Sequence, residues 1–357
     1  MLKLPSFSAS TTLGYMLRWE LLLAFFPPAV FGQTAISAEQ SPVVASPATV
    51  TSFVGYDLDM ESFRPELEEV VALVRESSKL VKEGNLEGAK TLLLKAKASC
   101  EAMFKTIGRG SHDELYFLLG MVNEYLGDSK AAIENFESSL RLKANNPVAI
   151  FKHATLLKTS RRYNEAISEF LEVTWRADFA KHEPYFLMAE CQKELGQHDA
   201  ALASLEKSLA ANPSYVPALS LLIKTRSEKL ATTNDPQQKA DLEGKILLDL
   251  KTLVSIDPSN RENVTKYVRA TLNRSDPFFD RQSLQSAESL VRAIVEASSY
   301  KDSSMVKLLF DAQLKQRNLD NAERTLKLGL EQAPKSSILL NATKQLDLEK
   351  NALLSDR

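Results

Sequence analysis

Alanine keeps a fixed beat through this chain. Ala132, Ala166 and Ala201 stand 34 and 35 residues apart, and Ala89, Ala287 and Ala322 extend the series in both directions. Around them one phrase recurs, as "LGDSKAAIENFESSLRLKANNP" (126–147), "SRRYNEAISEFLEV" (160–173) and "LGQHDAALASLEKSLAANPSY" (195–215). A period of this length marks stacked units that cannot bury an apolar face singly. Only 12 glycines and 14 prolines occur among 357 residues, which suits helices better than a turn-rich β fold.

A 34-residue unit starting at Asp113 puts Tyr116 at position 4, Gly120 at 8, Gly127 at 15, Ala132 at 20 and Phe136 at 24. The unit from Pro147 puts Ile150 at 4, Ala154 at 8, Ala166 at 20 and Phe170 at 24. The unit from His182 puts Tyr185 at 4, Ala189 at 8, Gly196 at 15, Ala201 at 20, Leu205 at 24 and Pro213 at 32. Small residues at 8 and 20 let two helices approach to about 8–10 Å between axes. Glycine at 15 supplies the positive φ of a tight turn, and Pro213 stops the second helix.

With its large residue at 4, small residues at 8 and 20, aromatic at 24 and proline at 32, this pattern resembles the tetratricopeptide repeat. The resemblance implies an all-α fold, an α-solenoid of antiparallel hairpins stacked in a right-handed superhelix. Weaker copies extend it to residues 70–103 (Gly84, Ala89, Leu93, Ala96) and 303–336 (Leu309, Ala322, Leu326, Pro334). Between them the period stretches. Ile246, Leu250 and Pro258 fit positions 20, 24 and 32, but Leu219 and Leu222 fit positions 4 and 7 only with about eleven residues inserted, in "KLATTNDPQQKAD", and residues 260–302 form a second stretched unit. Asp235-Pro236 reads as an N-cap with proline at N1. The tail "SSILLNATKQLDLEKNALL" reads as an amphipathic helix covering the last hairpin.

The expected layout is a signal peptide at 1–32, a flexible leader at 33–61, a solenoid of about seven hairpins at 62–336, and a capping helix and tail at 337–357. Lys3 and Arg18 precede the apolar run "LLLAFFPPAVF" (21–31), which has the length of a signal-peptide core and is short for a membrane span. Cleavage would follow Gly32 or Ser37. The protein is then exported, periplasmic or extracellular, with organellar import as the alternative reading of the same acid-poor segment. Residues 33–59 show no period, although a short edge strand near Val50–Val54 stays open.

Composition and motifs exclude most chemistry. Net charge is −2, which gives no electrostatic case for nucleic acid. The four histidines show no metal-ligand spacing, and no phosphate loop, nucleophile elbow or zinc helix motif occurs. "GRGSHDE" (108–114) reads as a capping box from Ser111 to Glu114 rather than a catalytic relay, whose groups must converge from different directions. His153 reads as a core histidine. Cys100 and Cys191 lie three repeats apart, beyond disulfide reach. No enzyme and no cofactor are expected.

The resemblance also implies a working surface, since positions 2, 5, 9 and 12 of such repeats line a concave groove. In the three strong repeats positions 5, 9 and 12 give Phe117, Met121 and Glu124, then Phe151, Thr155 and Lys158, then Phe186, Glu190 and Lys193. The phenylalanines either face a partner in the groove or pack sideways against adjacent helices. A clamp for C-terminal carboxylates, which wants lysine at 5 and asparagine at 6 and 9, is disfavoured by Phe117, Leu118 and Met121. The expected partner is a protein or peptide, without nucleic acid and without a membrane span after cleavage. A structural or assembly role through the convex face and edges, or self-association, is one alternative, and an accessory subunit of an envelope enzyme complex is another.

Overall fold

A computed structural model describes residues 64–108, 112–176, 179–273 and 281–355. The expected signal peptide and leader lie outside these residues. The regular elements among them are all α-helices. They run α1 (Arg64–Lys82), α2 (Leu86–Ile107), α3 (Asp113–Tyr125), α4 (Ser129–Leu142), α5 (Pro147–Thr159), α6 (Tyr163–Thr174), α7 (His182–Glu194), α8 (His198–Ala211), α9 (Val216–Thr232), α10 (Pro236–Ile256), α11 (Arg261–Asn273), α12 (Arg281–Ala297), α13 (Ser303–Lys315), α14 (Leu319–Gln332) and α15 (Ser337–Ser355). Each helix packs on the next along the chain, so the protein is an all-α solenoid of stacked hairpins.

The register alanines show why the hairpins close. Ala89, Ala132, Ala166, Ala201, Ala287 and Ala322 are all buried, as are Phe136, Phe170, Leu205, Leu250 and Leu326 at the following core position. In the second hairpin a Cβ at Gly120 would sit 2.9 Å from the Phe136 ring. The ring therefore occupies the space that glycine leaves, and this is the close approach the pattern anticipates.

The turn inside each regular hairpin needs one residue at positive φ, and the register places it at position 15. Gly84, Gly127 and Gly196 adopt φ of 80°, 80° and 72° there. At the same position two hairpins carry arginine, with Arg161 at 61° and Arg317 at 58°. An L-residue pays a steric penalty of roughly 1–2 kcal/mol in this region. The turn geometry is thus imposed by helix packing and tolerates a poorly suited residue.

The insertion before Ile246 makes no separate loop. It lengthens both helices of the fifth hairpin, so that α9 has 17 residues and α10 has 21. Asp235 caps α10 by accepting from the Gln237 N–H, with Pro236 in the first turn. Asx side chains likewise open α2, α4, α5, α13 and α14. At α3 the expected capping box differs. Ser111 lies outside the described residues, and His112 holds the cap position without capping the helix N–H groups through its side chain. Glu114 is instead buried, and that burial raises its carboxyl pKa. At the other end, α15 packs on α13 and α14 through Leu339, Ala342 and Leu346.

The core is not uniform. From α1 to α9 it divides into four clusters, centred in turn on Leu67–Val122, Phe117–Leu156, Ile150–Cys191 and Ala189–Leu222. From Ile246 to Leu346 a single cluster runs through α10 to α15.

Candidate functional site

The first helices of the second, third and fourth hairpins (α3, α5 and α7) carry the residues expected in the groove, and the structure sorts them by depth. Phe117 is only 3% exposed, Met121 1% and Phe151 7%. Of the two alternatives for the phenylalanines, groove anchor or sideways packing, Phe117 and Phe151 take the packed one, and Met121, placed among the groove residues, is buried beside them. Phe117 packs on Phe136, with ring centroids 5.7 Å apart, and Met121 lies in the same cluster. Phe151 packs edge-on against Phe170 at 5.8 Å and is covered by Phe179 at 5.3 Å, from the segment joining α6 to α7. Phe186 alone of the row stays partly exposed, resting against Tyr215 at 5.5 Å. Its hairpin has Leu205 where the other two have Phe136 and Phe170, so the ring across its own hairpin is missing and Tyr215 flanks it instead. Burial pushes the Tyr215 hydroxyl up to about 12, so this ring is neutral.

The polar members of the set form a ladder between hairpins. Lys152 donates to Glu124 at 3.0 Å, joining α5 to α3. Lys158 donates to Glu190 at 2.5 Å, joining α5 to α7. Lys193 donates to Glu228 at 2.9 Å, joining α7 to α9. Thr155 satisfies its hydroxyl on the Phe151 carbonyl at 2.8 Å. Glu124, Thr155, Lys158, Glu190 and Lys193 are all half-buried. Lys152 and Glu228 were not anticipated as their partners. The missing signal is spacing, since partners 28 to 35 residues apart are neighbours only once the hairpins stack.

Other polar groups serve packing. His153 is buried, and its Nδ1–H faces the Glu169 carboxylate at 2.8 and 2.9 Å. Both cysteines are buried, and burial pushes their thiols up to about 12 for Cys100 and about 11 for Cys191. Thiols held in that form are poor nucleophiles at neutral pH. Arg226 ties α8, α9 and α10 together by pairing with both Glu206 and Asp249. Among the described residues no group of three His, Cys, Asp or Glu side chains is placed to hold a metal ion. No described helix is long and apolar enough to cross a membrane.

Helical hairpins on a 34-residue register, with small residues at the crossings, define a solenoid of tetratricopeptide type. Residues 113–146 and 182–215 each match the tetratricopeptide repeat family. Anaphase-promoting complex subunit 3 of Dictyostelium discoideum is 34% identical over 95 residues, covering 24% of this chain and 9% of that protein. The chain thus matches less than a tenth of that relative's length. Among solved structures, the C-terminal part of a repeat-containing protein from Cytophaga hutchinsonii is similar at a TM-score of 0.48 and 12% identity, covering 75% of this chain and 98% of that one. PilW, a type IV pilus biogenesis factor, is similar at 0.39 and 15%, covering 77% and 98%. MamA from Desulfovibrio magneticus RS-1 is similar at 0.42 and 15%, covering 54% and 97%. Likenesses at this level carry no argument, and the fold rests on the chain's own helices and register.

Proposed function

We infer that this chain is a non-catalytic, exported interaction scaffold that holds a peptide segment or a partner domain on the face built by its first helices. The observation that carries the reading is the combination of Phe186, left partly open, with the half-buried Glu190 and Lys193 on the same helix. A partly open aromatic flanked by polar groups is the usual form of a binding anchor, with a contribution of about 2 kcal/mol or more where it is buried by a partner. Export rests on the sequence of residues 1–32, whose charge and apolar run fit a signal peptide.

The test is affinity capture of the partner with the whole chain and with Phe186→Ser. The substitution is expected to weaken binding by at least tenfold while melting stays within a few degrees. Unchanged affinity would count against this face. A fusion of residues 1–40 to an export-dependent reporter should be active, with the mature N-terminus between about 32 and 39; an intact Met1 on a cytosolic product defeats export.

A second reading, assembly through the outer face or edges, has its own observation. Trp175 is 79% exposed, Leu248 65% and Leu348 71%, all on second helices, their ends or the capping helix. Under that reading Trp175→Ser rather than Phe186→Ser releases the partner.

A further inference from the structure

The central ladder leaves little charge over, because each of its cations already has a carboxylate from a neighbouring hairpin. The C-terminal part of the same face is different. A cavity of about 660 Å³ opens between α11, α13 and α15, the first helices of the last two hairpins and the capping helix. In the unit that starts at Ser303, positions 2, 5, 9 and 12 are Ser304, Lys307, Asp311 and Leu314, and all four line this cavity. The register that buries phenylalanine in the central hairpins here produces an open, polar pocket.

Its charge is unbalanced. Arg269, Lys307, Lys315 and Arg317 line it together with two carboxylates, Asp311 and Glu349, and Lys315 has a partner of its own. Lys307 and Asp311 neutralise one another at 2.5 Å. Arg269 and Arg317 have no carboxylate partner among the described residues. Arg317 also occupies the left-handed turn position at φ 58°, where glycine serves in other hairpins. Arg317 thus lines the cavity from a backbone conformation that disfavours any side chain.

We propose that this C-terminal cavity binds an acidic peptide segment of a partner, with Arg269 and Arg317 taking its carboxylates. Charge complementarity selects the occupant: two unpaired guanidinium groups match carboxylates in bidentate fashion, and Leu272 and Leu314 supply apolar contact between them. The inference rests on the chain being an interaction scaffold, but it uses none of the residues of the central face.

The probe is a fluorescein-labelled, C-terminally amidated ten-residue peptide alternating Glu and Leu, followed by anisotropy against the whole chain. Versions with Gln or Lys in place of Glu serve as controls. The acidic peptide should bind at least tenfold more tightly than either control, and raising salt from low to about 0.5 M should weaken it strongly. Arg269→Ser with Arg317→Gly should reduce affinity by about tenfold or more. Arg317→Gly alone relieves the turn, so it should melt no lower than the parent while binding about threefold or more weakly. Equal affinity for the Glu and Gln peptides, or unchanged binding in the double variant, overturns the proposal. So does binding of heparin or single-stranded nucleic acid without binding of the acidic peptide. Phe186→Ser should leave the acidic peptide bound; losing the partner there while the peptide still binds, or the reverse, tells the two faces apart.

Discussion

Residues 113–215 and residues 246–346 are built from the same hairpin, yet they bury it differently. In the first region the apolar core is cut into small clusters, with buried or half-buried polar pairs between them. In the second a single cluster passes through six helices, and α11 packs directly on α13, as α13 does on α15. The closer repeats to the family pattern are thus the ones with the more divided core. Repeat stability is a sum of intrinsic and neighbour terms. Where the neighbour term is apolar, units are expected to open together; where it is an ion pair, they open more independently.

The largest expected effect tests this difference. Phe136→Ala and Phe310→Ala each remove a fully buried ring, costing about 3–5 kcal/mol. By hydrogen exchange, Phe310→Ala should accelerate amides across α10 to α15. Phe136→Ala should act mainly on α3 to α5. Equally wide effects would erase the distinction between the two regions.

Next in size is the Glu124–Lys152 pair, whose side chains are 11% and 3% exposed. Removing one partner of such a pair strands a buried charge, so Glu124→Leu alone should cost about 3 kcal/mol. Glu124→Leu with Lys152→Met should recover most of that loss, since apolar replacement of a buried pair is often neutral or stabilising. Recovery would also fuse the neighbouring clusters, and exchange in α3 and α5 should then become more cooperative. A double variant no more stable than the single one would show that the pair contributes more than separation.

A third comparison uses one added methyl group in each region. A Cβ at Gly329 would lie 2.6 Å from Val306 and 3.0 Å from Leu339, whereas at Gly120 it would meet Phe136 at 2.9 Å. Overpacking of this kind costs about 1–3 kcal/mol, partly offset by about 1 kcal/mol of helix propensity gained over glycine. Gly329→Ala is expected to lower the melting temperature more, because its contacts come from two other helices of the continuous core. A larger loss at Gly120 would reverse the ranking.

The sequence disclosed the frame of this molecule more fully than its surface. Small side chains at Ala132, Ala166 and Ala201 report a local requirement, the closeness of two helices, and such requirements leave a mark at fixed spacing. The stretched hairpin was legible for the same reason, through Asp235-Pro236. Depth on the groove face was not. Position 5 fixes the direction of Phe117 and Phe151, but their burial depends on partners outside the period. Phe179, which covers Phe151, comes from a connecting segment. What favours the packed alternative is the aromatic residue at position 24 of the same units, Phe136 and Phe170, which offers a ring across each hairpin, whereas Phe186 meets Leu205 there. The cationic cavity was equally within reach, since Ser304, Lys307, Asp311 and Leu314 occupy the groove positions of a recognisable unit.

The smallest expected effect concerns the turns, where the two regions are alike. Arg161, in the divided core, and Arg317, in the continuous one, hold φ of 61° and 58° at the position that is Gly196 in the fourth hairpin. Glycine at positive φ avoids the Cβ clash but raises the entropy of the unfolded chain, and the two terms differ by about 1 kcal/mol or less. Arg161→Gly should therefore stabilise by a few tenths to about 1 kcal/mol in urea unfolding, and Gly196→Ala should destabilise by a similar amount. The added Cβ at Gly196 meets no atom within 4 Å, so this loss would report backbone strain alone. Arg317→Gly should match Arg161→Gly if the turn is governed only by its own geometry. A clearly larger gain at Arg317 would mean that the rigid C-terminal core holds its turn under greater strain, and the contrast between the two regions would then reach from packing into the backbone itself.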